Sequence, residues 1–246
     1  MAALGFLSRL RLIRRSLFLQ VMLNYHTMQG PGFLFALWPW LKRSKFRSNR
    51  ARLVAGFLNS HPVFSVFAMG AVLRRLRDGD AESNATEFDK WRESLASPLG
   101  LVGDSLIWER WKPLVFASGA GLMLLISDAS VWPLIAVGCM IFYNGPLFAL
   151  RYWALGESHR LGREVLALSA HPELPRLRRA LTLLSAIAAG IAVAGAATRV
   201  AGGGLQMMQF AGAFVVVILG RQLRLPFALS ILLALLLSLG LGLLAH

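Results

Sequence analysis

A chain of 246 residues that is 56% hydrophobic and 15% charged, with a mean hydropathy of +0.58, does not describe a water-soluble surface. Its 26 Lys+Arg against 12 Asp+Glu give a net charge of +14, which in a soluble protein would point to nucleic acid; the apolar composition excludes that partner and points to a lipid bilayer. The single cysteine, Cys139, lies in an apolar run and excludes a disulfide framework, a cysteine-based zinc site and an iron–sulfur cluster.

The chain opens with Phe6, Leu10, Ile13, Leu17 and Val21 in one helical stripe, and Arg9, Arg11, Arg14 and Arg15 mostly off it. That pattern predicts a helix lying in the membrane interface with its cations on anionic headgroups. The arginines sit inside the apolar stretch and no small-residue cleavage site follows, which speaks against a signal peptide. Two uncharged runs come next, Ser16 to Leu41 and Leu53 to Leu73, each interrupted at mid-length, by Gly30-Pro31-Gly32 and by Asn59-Ser60-His61-Pro62. Between them lie six cations from Lys42 to Arg52. Single crossings would put those cations outside, against the positive-inside bias. Both runs are therefore expected to be re-entrant or broken helices that return to the cytoplasm. Arg77 to Glu93, rich in Asp and Glu, reads as a cytoplasmic loop.

From Pro113 onward the gaps between charges approach the ~20 residues a spanning helix needs. Pro113 to Ser127 is short and would form a hairpin with the next span through Ser127-Asp128-Ala129-Ser130. Four spans are expected, Ala129 to Leu150, Ala180 to Thr198, Val200 to Gly220 and Leu225 to His246. The predicted fold is an all-α polytopic membrane protein, with N-terminal amphipathic and re-entrant or broken helices followed by about four to six transmembrane helices. It divides into a basic region, 1–113, and a transmembrane region, 114–246, with a cytoplasmic loop at about 151–179. In that arrangement 17 cations before residue 114, six in the loop and two at 221–224 lie on the cytoplasmic side with the N-terminus, leaving Arg199 outside.

Chemistry is sparse. The histidines His26, His61, His159, His171 and His246 show no His-Glu-x-x-His spacing, and no Gly-x-Ser-x-Gly or Walker sequence occurs. The chain is not expected to be an enzyme by itself, nor to hold a metal or cofactor. Polar residues at broken helices are the stronger pointer, because they mark transport sites in membranes. Asn24 to Gln29, with Gln20 and Asn24 four apart on a presumed helix face, either caps a helix end at Gly30 or faces a ligand. Asn59, Ser60 and His61 either satisfy a broken backbone or face a ligand. Asp104 and Ser105, in a Gly-flanked apolar stretch that ends at Trp108, either cap a helix or hydrogen-bond a ligand or neighbouring subunit. Asn144-Gly145-Pro146 is a weaker candidate, explained by a kink, and Gly202-Gly203-Gly204 reads as a tight turn.

In order, these elements resemble the IID subunits of the mannose/fructose/sorbose-family phosphotransferase system. Asn24-Tyr25 through Met28-Gln29 with Gly32-Phe33 resembles the family's Asn-Tyr-Glu-Arg-Met-Gln segment. Phe57-Leu58-Asn59-Ser60-His61-Pro62 resembles Phe-Phe-Asn-Thr-His-Pro, and Ser97-Pro98-Leu99-Gly100 with Val102-Gly103-Asp104-Ser105 resembles Gly-Pro-Leu-Ala-Gly-Ile-Gly-Asp-Ser. His26-Thr27 replaces Glu-Arg, and Arg74-Arg75 stands where the family has Met and acidic residues. The resemblance implies an inner-membrane subunit in a hetero-oligomer with a IIC subunit. Together they would carry a hexose that a cytoplasmic IIB protein, charged by IIA, phosphorylates. Asn59, His61, Asp104, Ser105, Asn24 and Gln29 are then the expected substrate-binding or subunit-interface residues. A non-transporting IID-like scaffold or regulatory subunit is the alternative.

Overall fold

A computed structural model describes residues 4–42, 45–126 and 128–200, with Leu229, Leu232, Leu233, Leu236 and Leu237. Among these residues the regular structure is helical, apart from two isolated bridges, Asn24 with Met28 and Met28 with Leu58. In chain order the helices are α1 (Phe6–Ser16), α2 (Gly30–Leu41), α3 (Arg47–Val54), α4 (Ser65–Arg77), α5 (Asp80–Ser83), α6 (Ala85–Ser94) and α7 (Ala96–Gly103). A π-helix (Asp104–Trp111), α8 (Lys112–Leu125), a 3-10 turn (Ala129–Val131), α9 (Trp132–Leu161), a 3-10 segment (Gly162–Ala170) and α10 (Leu174–Val200) follow. They form two compact units, one of Met1–Lys112 with Met140–Thr182 and one of Pro113–Cys139 with Leu183–His246.

In the first unit α4 is the core. Its residues are apolar all round from Val66 to Leu73, the pattern of a helix enclosed by protein, and they are buried together with Ser65, Arg75 and Leu76. Gly70 permits a close crossing: a Cβ there would lie 2.1 Å from Ser158 Oγ on α9. Two glycines in the left-handed region end helices, Gly79 (φ +84°) after α4 and Gly162 (φ +56°) after α9, as such termini favour.

The two helix breakers act differently from one another. Gly30-Pro31-Gly32 begins α2, with proline in the first turn where its missing N–H costs nothing. Asn59 to His61 have no regular structure and Pro62 opens the turn that leads into α4, so this break lies in the link between α3 and α4. Gln20 and Asn24 do not share a helix face, because α1 ends at Ser16 and turns follow. Of the N-terminal stripe Ile13 is buried, while Phe6, Leu10, Leu17 and Val21 are exposed.

Arg77 to Glu93, expected as a loop, folds into α5 and α6 because its acids meet arginines from distant segments. Arg75, 1% exposed, reaches Asp80 at 2.6 Å and Glu87 at 2.7 Å, with its guanidinium 4.3 Å from the Trp91 ring centroid. Arg163 pairs with Asp80 at 3.0 Å, and Arg50 with Glu82 at 2.6 Å. Arg92, fully buried, pairs with Asp89 at 2.7 Å and donates to the Phe57 carbonyl at 2.6 Å. The acids of this stretch are plain in the sequence, but not their partners as far as 83 residues away.

One helical run among the described residues, Ala129–Ala170, is long and apolar enough to cross a membrane. Within it Leu134, Met140 and Ile141 are more than 60% exposed, as side chains facing lipid would be. The stretch expected as a loop from 151 is helix: α9 continues to Leu161 and buries Arg151, Ala154, Leu155, Ser158 and His159. α10 covers the expected span from Ala180 to Thr198. The expected spans Val200 to Gly220 and Leu225 to His246, and the Gly202 turn, lie outside the described residues apart from the isolated leucines. In the second unit α8 meets the start of α9 as a hairpin, where a Cβ on Gly119 would lie 2.4 Å from Cys139 Sγ. Asp128 caps the turn by accepting from Ser130 N at 2.9 Å.

Candidate functional site

The chain from Asn24 to Gln29 is held by its own first residue. Asn24 Oδ1 accepts from the backbone N–H groups of His26 and Thr27 at 2.9 Å each, and its Nδ2 donates to Thr27 Oγ1 at 3.0 Å. This is the local turn that asparagine favours. Met28 follows with φ +52°, a region that non-glycine residues seldom adopt. The turn delivers Gln29 to the second broken segment: Gln29 N donates to the Leu58 carbonyl at 2.8 Å, and Leu58 N to the Thr27 carbonyl at 3.2 Å. The Gln29 amide is buried. Its Nε2 donates to the Ser60 carbonyl at 2.6 Å, and its Oε1 accepts from Ser65 Oγ at 3.1 Å and Ser60 N at 3.4 Å. One side chain thereby satisfies both backbone groups of Ser60, which the break leaves without helical partners.

His61 sits beside this knot, 4% exposed. Its Nδ1 accepts from Val63 N at 3.2 Å. The ring meets Trp108 edge-on at 5.9 Å and Phe64 at 6.1 Å between centroids. α7 reaches the segment through two glycines. A Cβ on Gly103 would lie 2.3 Å from His61 Cβ, and one on Gly100 3.6 Å from Ser60 Cα. Directly after Gly103 the helix widens into the π-helix of Asp104–Trp111, a form that recurs at functional sites. Ser105 is buried there, accepting from Arg110 Nη1 at 2.8 Å. Asp104 is exposed, and its carboxylate has no hydrogen bond or ion pair among the described residues.

Of the six residues expected from the sequence, Gln29 and His61 converge on the break. Asn59 and Asp104 are exposed on the two segments that meet there, at the break and just after Gly103, and Ser105 lies buried one residue further on. Asn24 shapes the turn leading to Gln29. Trp108 is 46% exposed, with Lys112 Nζ 4.3 Å from its ring centroid. Asn144 donates to its own helix, to the Met140 carbonyl at 2.8 Å, and α9 continues past Pro146.

Two members escaped the sequence reading. Ser65 completes the Gln29 bonds. Arg151, 8% exposed on α9, donates to Ser16 Oγ at 2.9 Å and to the Pro62 carbonyl at 3.3 Å, tying the end of α1 to the break. The available signal for Arg151 was a cation inside an apolar stretch, where charge is costly enough to need a purpose. Among the described residues no group of three or more His, Cys, Asp or Glu is placed to hold a metal ion.

Residues 8–217 match the PTS system mannose/fructose/sorbose family IID component. The mannose-specific EIID component of Escherichia coli (strain K12) is 26% identical over 177 residues, 69% of this chain and 61% of that protein. The sorbose-specific EIID component of Klebsiella pneumoniae is 26% identical over 187 residues, 73% of this chain and 66% of that protein. The chain thus spans less than two thirds of the length of these relatives. A cryoEM structure of the mannose transporter ManYZ with Microcin E492 superposes with a TM-score of 0.57 at 24% identity, covering 79% of this chain and 72% of that one. A second structure, of a membrane protein, gives a TM-score of 0.64 at 22% identity, covering 77% and 70%. Both show that the helical architecture is shared. With the family match extending over most of its length, the chain belongs to the IID components of the mannose/fructose/sorbose phosphotransferase system.

Proposed function

We propose that this chain is an inner-membrane permease subunit that forms a sugar pathway with a IIC partner, the sugar being phosphorylated by a IIB protein that IIA recharges. The chain itself carries no phosphoryl group in this reading. The observation that supports it best is the buried Gln29–Ser60–Ser65 knot at a broken segment, overlaid by a glycine-faced helix that opens into a π-helix at Asp104. Irregular backbone at membrane depth is tolerated where it lines a cavity or is enclosed by protein. Neutral polyols are held by amides, carboxylates and hydroxyls that bridge adjacent hydroxyl groups.

The exposed Asn59 and Asp104 are the members able to touch a sugar or the partner subunit. Gln29, His61, Ser105 and Asn24 position them. Asp104→Asn removes a charged acceptor while keeping its size, and hydrogen bonds to charged groups are worth about 1.5–3 kcal/mol. The expected result is a roughly tenfold or larger fall in uptake of labelled hexose with all partners present, at an unchanged amount of protein in the membrane. Uptake at the wild-type rate would remove Asp104 from the site. Complex formation without any uptake in the unmodified protein would favour a non-transporting scaffold.

A further inference from the structure

The sequence pattern of the N-terminal helix predicts diffuse attraction to anionic lipid; the structure contains something more defined. Ser8, Arg11 and Arg15, spaced three and four apart on α1, share one face. With Arg14 they border a cavity of about 510 Å³ closed on its other side by Pro39, Trp40 and Lys42 at the end of α2. Four cations, a hydroxyl and an indole surround this space, and no acidic residue lines it. Arg11, Arg14 and Lys42 have no ion pair or side-chain hydrogen bond among the described residues. Arg15 is the fixed wall. Its Nε donates to the Phe35 carbonyl at 2.8 Å and its guanidinium lies 3.7 Å from the Phe35 ring centroid. Burial, and then the neighbouring Arg14 cation, hold its pKa below the ordinary value.

We propose that this cavity is a discrete binding site for the phosphate of an anionic phospholipid headgroup. Guanidinium groups match phosphate oxygens in pairs, and lysine adds a point charge. The choice of a lipid over free phosphate rests on what adjoins the cations. Leu7 (76% exposed) and Leu10 (42%) stand one helical turn before Arg11 and Arg14, and Phe18 (51%) meets the Phe35 ring on which Arg15 lies. A phosphate joined to acyl chains satisfies both the charge and this apolar border, whereas inorganic phosphate satisfies the charge alone.

The test is native mass spectrometry of the purified full chain in micelles containing equal phosphatidylglycerol and phosphatidylcholine. Wild type is expected to retain one phosphatidylglycerol in preference to phosphatidylcholine, and millimolar inorganic phosphate is expected not to displace it. Each cation near an anionic headgroup is worth about a factor of five, so Arg11→Gln/Arg14→Gln is expected to reduce the preference about tenfold to thirtyfold. Arg47→Gln/Arg52→Gln removes the same charge from exposed positions on α3 and is expected to keep it. Equal loss in both double variants would reduce the effect to net charge and overturn the site. Displacement by inorganic phosphate would overturn the lipid assignment, and an unchanged preference in Arg11→Gln/Arg14→Gln would overturn both.

Discussion

Gly103 has no side chain, and His61 fills the space that one would occupy, with 2.3 Å left for a Cβ. His61 cannot withdraw, since its ring is enclosed by Phe64 and Trp108 and its Nδ1 is bonded to Val63 N. Gly103→Ala therefore pushes α7 away from the break, an overpacking cost of about 1–3 kcal/mol. Gly138 on α9 has nothing within 4 Å of its would-be Cβ. Gly138→Ala is expected to be neutral or to stabilise by up to about 1 kcal/mol, through helix propensity alone. Thermal unfolding of the purified protein in detergent separates the two, and a Gly103→Ala protein melting with wild type would mean that α7 does not bear on His61. That small residues near Asp104 allow close backbone approach was legible in the sequence. Which backbone they approach was not, because Gly100 and Ser60 are joined only by the tertiary fold. Gln29 was legible as a polar residue beside a breaker; its role in satisfying Ser60 was hidden for the same reason.

At the scale of elements, α5 and α6 exist as ordered helices through their ion pairs with α3, α4 and the segment after α9. Burial alone would raise the Asp80 pKa, but hydrogen bonds from Arg75 and Arg163, and then their charges, outweigh it and hold the carboxyl below its ordinary value near 3.8. The folded state therefore binds this proton less readily than the unfolded chain. Its contribution to stability is complete above the ordinary value and is lost as pH falls through the depressed folded one. Asp80→Asn also leaves Arg75, 1% exposed, short of a partner, and breaking one side of a buried pair is costly. The variant is expected to melt below wild type at pH 7, with the difference shrinking below about pH 4. Melting curves from pH 7 to pH 3 check this; a constant difference across that range would show that ionised Asp80 is not what Arg75 requires. The acidic stretch looked like a solvated loop because hydrophobic periodicity is the main sequence signal for a helix. Here charge pairing at long range supplies what apolar periodicity does not, and it also gives the buried Arg75 a structural purpose.

On the scale of the whole molecule, apolar composition and three ordered motifs were enough to place the chain in its family, because those motifs are the local devices of the fold: a turn at Asn24, a break at His61 and a glycine-faced helix before Asp104. The enclosure of α4 was less legible, since an apolar run of that length reads equally as re-entrant membrane structure or as a protein core. α9 combines both natures, exposed and apolar at Leu134 to Ile141 and packed against α4 from Arg151. The most direct test is uptake and phosphorylation of labelled mannose, glucose and fructose in cells lacking other routes, supplied with candidate IIC, IIB and IIA partners, with and without this chain. Accumulation of at least one phosphorylated sugar only when the chain is present is the predicted result. Equal accumulation without it, or none in the presence of an assembled membrane complex, would contradict the permease assignment.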